Sequence, residues 1–243
     1  MLKTTGIDLF TYSVLGSTND EAKRLAGQGT RGPLVIWTTR QVRGRGRARK
    51  NWIGMPGNLM ASLLLHPGRV LAEAGSMALV AGLAVTDYAR TLGVDARIKW
   101  PNDVLVGDAK LAGVLVEASS GNDELNWMVI GIGLNLAVAP VLGRQTACIG
   151  YEVKLEVALD QVIESVLRRY RQWLCGGFLV LRDEWLERAA WLGRSVRIRN
   201  RLGAVEGIIR TVDANGALIV CDSAGVEHFL FSGEIVPLEV QCC

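Results

Sequence analysis

The sequence predicts an α/β domain followed by a small β-rich domain. Apolar segments at strand and helix spacing alternate through residue 191, which indicates the larger domain. Beyond Leu192, glycines punctuate short alternating segments over about 50 residues, near the lower limit for a domain that folds alone. We therefore expect residues 1–191 to form the larger domain and residues 192–243 to form a compact SH3-like barrel docked against it.

The first part of the chain alternates short strands with helices. Strands are predicted at residues 9–14, 34–39 and 58–66, with one helix beginning after Ser17 and another at residues 72–92. Thr18 and Glu21 have capping-box spacing, which places Ser17, Thr18 and Asn19 at a helix N-terminus. Plain capping explains these residues, although two hydroxyls, a carboxamide and free amides also suit a small polar ligand.

The segment KWPND ends the next predicted strand, residues 94–100. Pro101 terminates that strand and displays Asn102 and Asp103 at its end, where sheets commonly carry functional groups. A plain Asn-Asp turn suits the same residues equally well.

A hairpin, one more strand and two helices complete the larger domain. The hairpin turns at Gly107–Asp108, places Lys110 at the mouth of its second strand, and offers Gly113 as a point of close approach. Strands are predicted at residues 104–106, 110–118 and 127–138, helices at 155–175 and 178–191, and tail strands at 195–199, 204–212, 217–221 and 226–231. Asn215-Gly216 is a strong hairpin turn within the tail.

A basic, glycine-containing loop lies between the strands at 34–39 and 58–66. Five cations occur among the eight residues 43–50, with no acidic residue between them. Such a run repels itself, so alone it should be mobile. Three interpretations compete: a solvated loop with no task, a nucleic-acid arm, or a loop that closes over the phosphates of a nucleotide.

Composition limits the class of protein. The net charge of +3 is too small for the whole surface to bind nucleic acid, and no apolar run is long enough to span a membrane. Five irregularly spaced cysteines contain no CxxC pair, so neither a zinc site nor a disulfide framework is predicted. We expect a cytoplasmic protein in which Cys242 and Cys243 are free thiols.

Several familiar catalytic motifs are missing from the sequence. It contains no GxxxxGK[ST] phosphate loop and no GxSxG nucleophile motif. The two glycine pairs at Gly44 and Gly131 lack the third glycine of the dinucleotide fingerprint. P-loop, serine-hydrolase and Rossmann sites are therefore not expected.

Four pieces in fixed order resemble the biotin–protein ligases: STN at 17–19, Gln41 with the GRGR loop, KWPND followed by KLAGVLVE, and GIGLN. Each piece is weak alone, but their order and spacing are highly specific and cover essentially the whole chain. The resemblance implies an α+β fold with one pocket on a mixed β-sheet backed by helices, and a small C-terminal SH3-like β-barrel. The family usually writes GRGRxGRxW, and this chain has Arg49 in place of the second glycine.

The resemblance also assigns roles by position. The predicted biotin site comprises Ser17, Thr18, Asn19, Gln41, Arg45, Gly46, Arg47, Lys110 and Gly113. The predicted adenylate site comprises Arg45, Arg47, Asn102, Lys110 and Asn135, with Asn135 facing the adenine. Arg45, Arg47, Lys110 and Asp103 are the predicted catalytic residues, and Asp103 either orients the acceptor amine or helps hold Mg²⁺.

The implied activity is an ATP-dependent ligase reaction. Biotin, ATP and Mg²⁺ would give biotinyl-5′-AMP, and a lysine of a biotin carboxyl carrier domain would then accept the biotinyl group. The residues fit this chemistry because a carboxylate and ATP repel each other, so the site must supply cations before they can approach. A basic, glycine-containing loop would also shield the reactive anhydride from water.

Two other functions are weighed against this one. A lipoate–protein ligase shares the fold and the adenylation but normally lacks KWPND. A DNA-binding role is not expected, because the catalytic pattern begins by Ser17 and only Trp52 offers a stacking aromatic near the loop. An exposed strand edge of the larger domain could pair two subunits as a homodimer or dock the carrier.

Overall fold

A mixed β-sheet carries the larger part of the chain. The computed structural model describes residues 1–122, 124–150, 153–201 and 203–238, and within them seven strands form this sheet in the order β1-β2-β3-β7-β6-β5-β4. The strands are β1 (Asp8–Tyr12), β2 (Leu34–Thr38), β3 (Leu59–Leu65), β4 (Ala96–Lys99), β5 (Asp103–Val106), β6 (Ala109–Gly121) and β7 (Glu124–Leu134). Only the β1–β2 pair is parallel, so the predicted mixed sheet is confirmed.

Helices cover the two faces of this sheet unequally. The helices are α1 (Thr18–Gly27), α2 (Met77–Thr91), α3 (Leu155–Gly176) and α4 (Arg182–Glu187). Alternate residues of β2 point to opposite faces: Val35 and Trp37 join the main core with α2 and α3, whereas Leu34 and Ile36 pack with α1. Since α1 is short, it covers only part of its face, and the remainder of that face is free to form a site.

The tail forms a second, antiparallel sheet. Its described strands follow the order β11-β10-β9-β8-β12. They are β8 (Ser195–Asn200), β9 (Gly203–Val212), β10 (Leu218–Cys221), β11 (Glu227–Leu230) and β12 (Glu234–Pro237). The small β-rich tail is thus confirmed, while the division of the chain at residue 191 stays a prediction.

The tail docks on the end of the large sheet beside β4. The Trp100 indole donates a hydrogen bond to the Gly216 carbonyl at 3.0 Å, and Arg182 donates to the Val212 carbonyl at 2.7 Å. Apolar side chains of both sheets belong to one continuous core. The tail is therefore held where its loops can reach the larger sheet.

Two local predictions were wrong because distant residues compete for the groups involved. The capping box is not formed: the Thr18 hydroxyl donates to Gln41, while Glu21 accepts a hydrogen bond from Tyr12. The helix predicted at 178–191 ends at Glu187, because Ala190 donates to the Ile98 carbonyl at 2.7 Å and extends the chain beside β4.

Two further differences from the predicted elements concern the start of one helix and a strand that was not predicted. The helix predicted at 72–92 starts as a 3-10 turn, Leu71–Ser76, and becomes α-helical only at Met77. Strand β12 was missed because it is short and contains Pro237, a residue that sheets accept mainly at their edges.

The described cysteines, Cys148, Cys175 and Cys221, are free thiols. Cys242 and Cys243 lie outside the described residues. No described helix has the length and apolar character needed to cross a membrane.

Buried ion pairs lock three helices together. Arg169 of α3 is 3% exposed, donates to Asp87 of α2 at 2.7 and 2.9 Å, and reaches Glu184 of α4 at 2.5 and 2.6 Å. Arg188 also pairs with both carboxylates. Because Arg169 has almost no access to water, it depends on these partners for the stability of its charge.

Replacing Asp87 by alanine is expected to lower the free energy of unfolding by about 3 kcal/mol, since it removes one of the two carboxylates that compensate the buried Arg169 charge and also a partner of Arg188. Urea denaturation provides the measurement. Asp95→Ala is the matched control, because Asp95 is exposed, lies 3.7 Å or more from its cationic partners, and should change stability by less than about 1 kcal/mol. Equal effects of the two variants would show that the cluster does not lock the helices.

Candidate active site

A cavity of about 610 Å³ opens on the part of the sheet face that α1 leaves uncovered. It lies within the usual size range for small-molecule sites. The predicted site residues that line it are Ser17, Thr18, Asn19, Gln41, Arg45, Gly46, Arg47, Asn102, Asp103, Lys110 and Gly113. Segments that are distant in sequence thus meet at one place, as the four motifs predict.

Uncharged hydrogen-bonding groups form one end of the cavity. The Thr18 backbone N–H and hydroxyl both donate to Gln41 Oε1, at 2.7 and 3.1 Å. The Ser62 hydroxyl lies 2.7 Å from Thr18 Oγ1 and 2.6 Å from Asn19 Oδ1. Ser17, Thr18 and Asn19 are each less than 5% exposed, and this network holds the polar side-chain atoms of Thr18 and Asn19 in fixed positions at the start of α1.

Two glycines of the GIGLN motif make room for side chains of the cavity. Gly131 and Gly133 point to the same face of β7 because they are two residues apart. A Cβ at Gly131 would lie 2.0 Å from Asn19 Oδ1, and a Cβ at Gly133 would lie 2.2 Å from the indole of Trp52. Any larger residue would therefore displace Asn19 or Trp52, which explains the spacing of the glycines.

The basic loop lies over the cavity, and its cations are held by residues of the chain itself. Arg45 pairs with Asp20 at 2.5 Å and with Glu117 at 3.2 Å. Arg47 donates to Asn102 Oδ1 at 3.3 Å. The basic loop was expected to be mobile in isolation. In the folded chain, the contacts of these two guanidinium groups hold it against the rest of the domain.

A third contact ties the loop to the tail. Lys50 pairs with Glu234 of β12 at 2.6 Å, and this bond is the main cause of a lowered pKa for Glu234. Both side chains are more than half exposed, so this pair adds little stability and can exchange for another partner.

A largely buried lysine–carboxylate pair lines the cavity. Lys110 donates to Asp103 across the β5–β6 hairpin, and Arg144 lies 3.7 Å from the other oxygen of the same carboxylate. Burial lowers the pKa of Lys110, while the charge of Asp103 opposes that shift. The Lys110 backbone donates to the Gln145 carbonyl at 3.0 Å, which brings the Arg144 segment beside it.

Lys99 also lines the cavity and was not among the predicted site residues. Its ammonium lies 4.3 Å from the centroid of the Trp191 ring, and burial lowers its pKa. The signal was present in the sequence, since Lys99 begins the KWPND motif. Trp52, Arg144, Arg199, Arg201 and Glu234 line the cavity as well, but no motif marks them as one set.

Asn102 and Asn135 both support the backbone around the centre. The Asn102 amide donates to the Val114 carbonyl at 2.7 Å. Asn135, which was predicted to face the adenine, is 1% exposed and does not line the cavity. Its amide donates to the Lys110 carbonyl at 3.4 Å and the Ala147 carbonyl at 3.0 Å, so it fixes the segment that carries Lys110.

The loop backbone contains two residues in the left-handed region. Ala48 has φ 51° and Arg49 has φ 59°. A residue with a Cβ atom pays roughly 1 kcal/mol or more for this conformation, whereas glycine adopts it readily. Arg49, which occupies the position of a glycine in the motif GRGRxGRxW, therefore has a backbone conformation that glycine would adopt without strain.

Comparisons with known proteins assign the chain to one family. The family model "Biotin/lipoate A/B protein ligase family" matches residues 12–135, and the model "Biotin protein ligase C terminal domain" matches residues 191–236. A biotin–[acetyl-CoA-carboxylase] ligase of Paracoccus denitrificans is 36% identical over 222 residues, covering 86% of this chain and 92% of the relative. A protein of the same name from Mycobacterium tuberculosis is 30% identical over 240 residues, covering 92% and 86%.

A solved structure shows the same fold. The biotin protein ligase from Aquifex aeolicus in complex with biotin and ATP superimposes with a TM-score of 0.80 at 23% identity. The match covers 96% of this chain and 99% of that one.

The strain at Arg49 generates a prediction for the loop. Arg49→Gly should stabilise the observed loop conformation by about 1 kcal/mol relative to Arg49→Ala, because only glycine relieves the left-handed backbone. Limited trypsin digestion measures this, since both variants lose the same cleavage site. We expect cleavage elsewhere in the loop to be roughly fivefold slower in Arg49→Gly. Equal rates in the two variants would contradict the strain.

Proposed function

The chain belongs to the biotin/lipoate A/B protein ligase family, and on that premise we propose that its cavity activates biotin with ATP and transfers the biotinyl group to a carboxylase carrier domain. One observation carries this proposal: Lys110 is buried beside Asp103 at the point where the basic loop, the KWPND hairpin and the GIGLN strand meet. A buried ammonium beside an Arg-bearing loop is suited to bring a carboxylate and a phosphate together.

The polar end of the cavity is the proposed site for the biotin ring. Biotin carries a ureido group that both donates and accepts hydrogen bonds. The side chains of Thr18, Asn19 and Gln41, which are fixed by hydrogen bonds, and the Ser17 hydroxyl beside them offer donors and acceptors of matching type. Gly113 and Gly133 have no side chain, so the indole of Trp52 can lie against both of them at this end.

The reacting atoms are proposed to lie near Lys110. A carboxylate oxygen of biotin attacks the α-phosphorus of ATP, and the bond from that phosphorus to the β,γ-pyrophosphate breaks. Negative charge on the phosphoryl oxygens is then stabilised by Lys110 and by Arg47, whose guanidinium already reaches Asn102. Arg45 completes this set once it leaves Asp20 and Glu117 for the substrate.

The described residues do not form a resident metal site. They bring no three His, Cys, Asp or Glu side chains together for a metal ion, and Asp103 is already engaged by Lys110 and Arg144. We therefore assign Mg²⁺ to the phosphates of ATP, with which it enters as part of the substrate. Asp103 acts on this proposal as the positioning residue of Lys110.

The second step transfers the biotinyl group. The amine of a carrier lysine attacks the carbonyl carbon of biotinyl-AMP, the mixed anhydride bond breaks, and AMP leaves. The loop that carries Arg45 and Arg47 shields the anhydride from water until the carrier docks. Asn135 serves the nucleotide only through the backbone that it fixes beside Lys110.

Two finer parts of the proposal concern the setting of the enzyme. We place it in the cytoplasm, and we place a second copy along the outer edge of β1, which pairs only with β2 among the described strands.

A covalent labelling experiment tests the choice of substrate. The protein is incubated with ATP, Mg²⁺, a carrier domain and either labelled biotin or labelled lipoate. We expect only biotin to become attached to the carrier lysine. Attachment of lipoate in place of biotin would identify the chain as the lipoate-specific branch of the same family.

Lys110→Ala is expected to lower biotin-dependent pyrophosphate exchange about a hundredfold or more, because it removes the central cation of the adenylation step. Lys3→Ala is the control, since Lys3 is exposed and does not line the cavity. Full exchange activity in Lys110→Ala would remove Lys110 from the reaction.

Arg47→Gly is expected to release biotinyl-AMP into solution, because the loop loses its guanidinium contact with the KWPND turn. The measurement is the fraction of intermediate that stays bound after rapid gel filtration. Arg43→Gly makes the same change in the same loop at a residue that does not line the cavity. The proposed role of Arg47 is wrong if both variants retain the intermediate equally.

A further inference from the structure

Asn58, which directly precedes β3, has a completely buried carboxamide with five hydrogen bonds. Its Oδ1 accepts from the N–H groups of three successive residues after β7: Leu136 at 3.1 Å, Ala137 at 3.2 Å and Val138 at 3.1 Å. Its Nδ2 donates to the Val138 carbonyl at 2.7 Å and to Asn135 Oδ1 at 3.3 Å. One side chain thus fixes the start of the segment that follows β7.

The surroundings of Asn58 require both an acceptor and a donor in one short side chain. The three converging N–H groups need an oxygen, because a buried N–H group without a partner is costly. The Val138 carbonyl and Asn135 Oδ1 need a donor. An aspartate would serve the N–H groups but would place its second oxygen against these two acceptors. The carboxamide is therefore suited to this position in a way that a carboxylate is not.

Asn135 connects Asn58 to Lys110. With its Oδ1 held by Asn58, the Asn135 amide nitrogen faces the Lys110 carbonyl at 3.4 Å and the Ala147 carbonyl at 3.0 Å. The backbone of Lys110 also donates to the Gln145 carbonyl at 3.0 Å and accepts from the Ala147 N–H at 2.9 Å. The backbone of Lys110 is therefore held by a chain of hydrogen bonds that begins at Asn58.

The same contacts join the end of the basic loop to a cation of the cavity. Gly57, at the end of that loop, lies so close to the segment after β7 that an added Cβ atom would be 2.8 Å from the Ala137 Cβ. Further along, this segment carries Arg144, which lies 3.7 Å from an oxygen of Asp103. Asn58 thus holds the base of the segment that brings Arg144 to the cavity.

Given the proposed adenylation at Lys110, we infer that Asn58 is a positioning residue for that step. It holds the backbone that carries Lys110 and Arg144, and it acts on Lys110 through Asn135. Asn58 does not line the cavity, so it acts through other residues and not on the substrate. The hydrogen bonds that fix the biotin end of the cavity belong to other residues. Loss of the carboxamide should therefore impair activation without impairing biotin binding.

The variant Asn58→Asp keeps the acceptor for the three N–H groups and removes the donor. Pyrophosphate exchange is measured per biotin-binding site, so that unfolded protein does not enter the rate. We expect kcat for biotin-dependent exchange to fall about tenfold, while the Kd for biotin stays within about twofold of the parent value. Asn122→Asp makes the same change at an exposed residue that does not line the cavity, and it should alter neither constant.

Two further variants separate the causes of such a loss. Asn58→Ser introduces no charge and should also lower kcat with biotin binding retained, because one hydroxyl cannot serve both the N–H groups and the two acceptors. Asn135→Ala removes the oxygen that the new carboxylate would face. Asn58→Asp should therefore lower kcat at least about threefold less in the Asn135→Ala background than in the parent enzyme.

Four results would count against these assignments. An unchanged kcat in both Asn58 variants, with the parent enzyme active, would overturn the inference and leave the proposed function intact. Loss of biotin binding in both variants would overturn it in favour of a general role in folding. Fully additive effects of Asn58→Asp and Asn135→Ala would overturn the route through Asn135. Absence of biotin-dependent exchange in the parent enzyme would instead refute the proposed function itself.

Discussion

The active site depends on an excess of positive charge that the chain holds in place with its own carboxylates. Eight cations and two carboxylates are present among the described residues that line the cavity. The cations are Arg45, Arg47, Lys50, Lys99, Lys110, Arg144, Arg199 and Arg201, and the carboxylates are Asp103 and Glu234. Repulsion within the cluster is offset where a cation has a carboxylate partner: Lys110 has Asp103, Lys50 has Glu234, and Arg45 has Asp20 and Glu117. The exposed pairs are weak enough to yield to a triphosphate and a carboxylate.

The rest of the fold serves to bring these charges to one face of the sheet. Alternation along β7 buries one set of side chains against α2 and α3 and leaves Gly131 and Gly133 on the other face. Because these glycines have no side chain, Asn19 and Trp52 can pack directly against the backbone of β7. The loop closes the cavity from one side and the docked tail from another, and the Lys50–Glu234 pair joins the two. The proposed binding of biotin, its activation and the shielding of the intermediate would thus follow from one arrangement.

Much of this arrangement could be predicted from the sequence, since the informative signals are local. Proline at 101, the Gly107–Asp108 turn and the glycine spacing of GIGLN each specify a short-range geometry, and the structure brings those segments together. Interactions across long sequence distances were not predictable. The Thr18 hydroxyl donates to Gln41 and does not cap the helix as expected. The backbone of Ala190 bonds to Ile98 in a segment where a helix was expected. Which tail residues line the cavity depends on the docking of a whole sheet, so no motif near Arg199 or Glu234 predicts it. The burial of Asn135 likewise depends on Asn58, whose carboxamide lies 77 residues away in sequence.

The central claim is that substrate anions replace the chain's own carboxylates as partners of the loop cations. A crystal structure with biotin and an ATP analogue whose α,β-bridging oxygen is a methylene group tests it most directly. We predict that Arg45 leaves Asp20, that Lys50 leaves Glu234, and that the cations of the cavity lie within hydrogen-bonding distance of the biotin carboxylate or the phosphates. Binding of both ligands with the Arg45–Asp20 and Lys50–Glu234 pairs intact would contradict this exchange of partners.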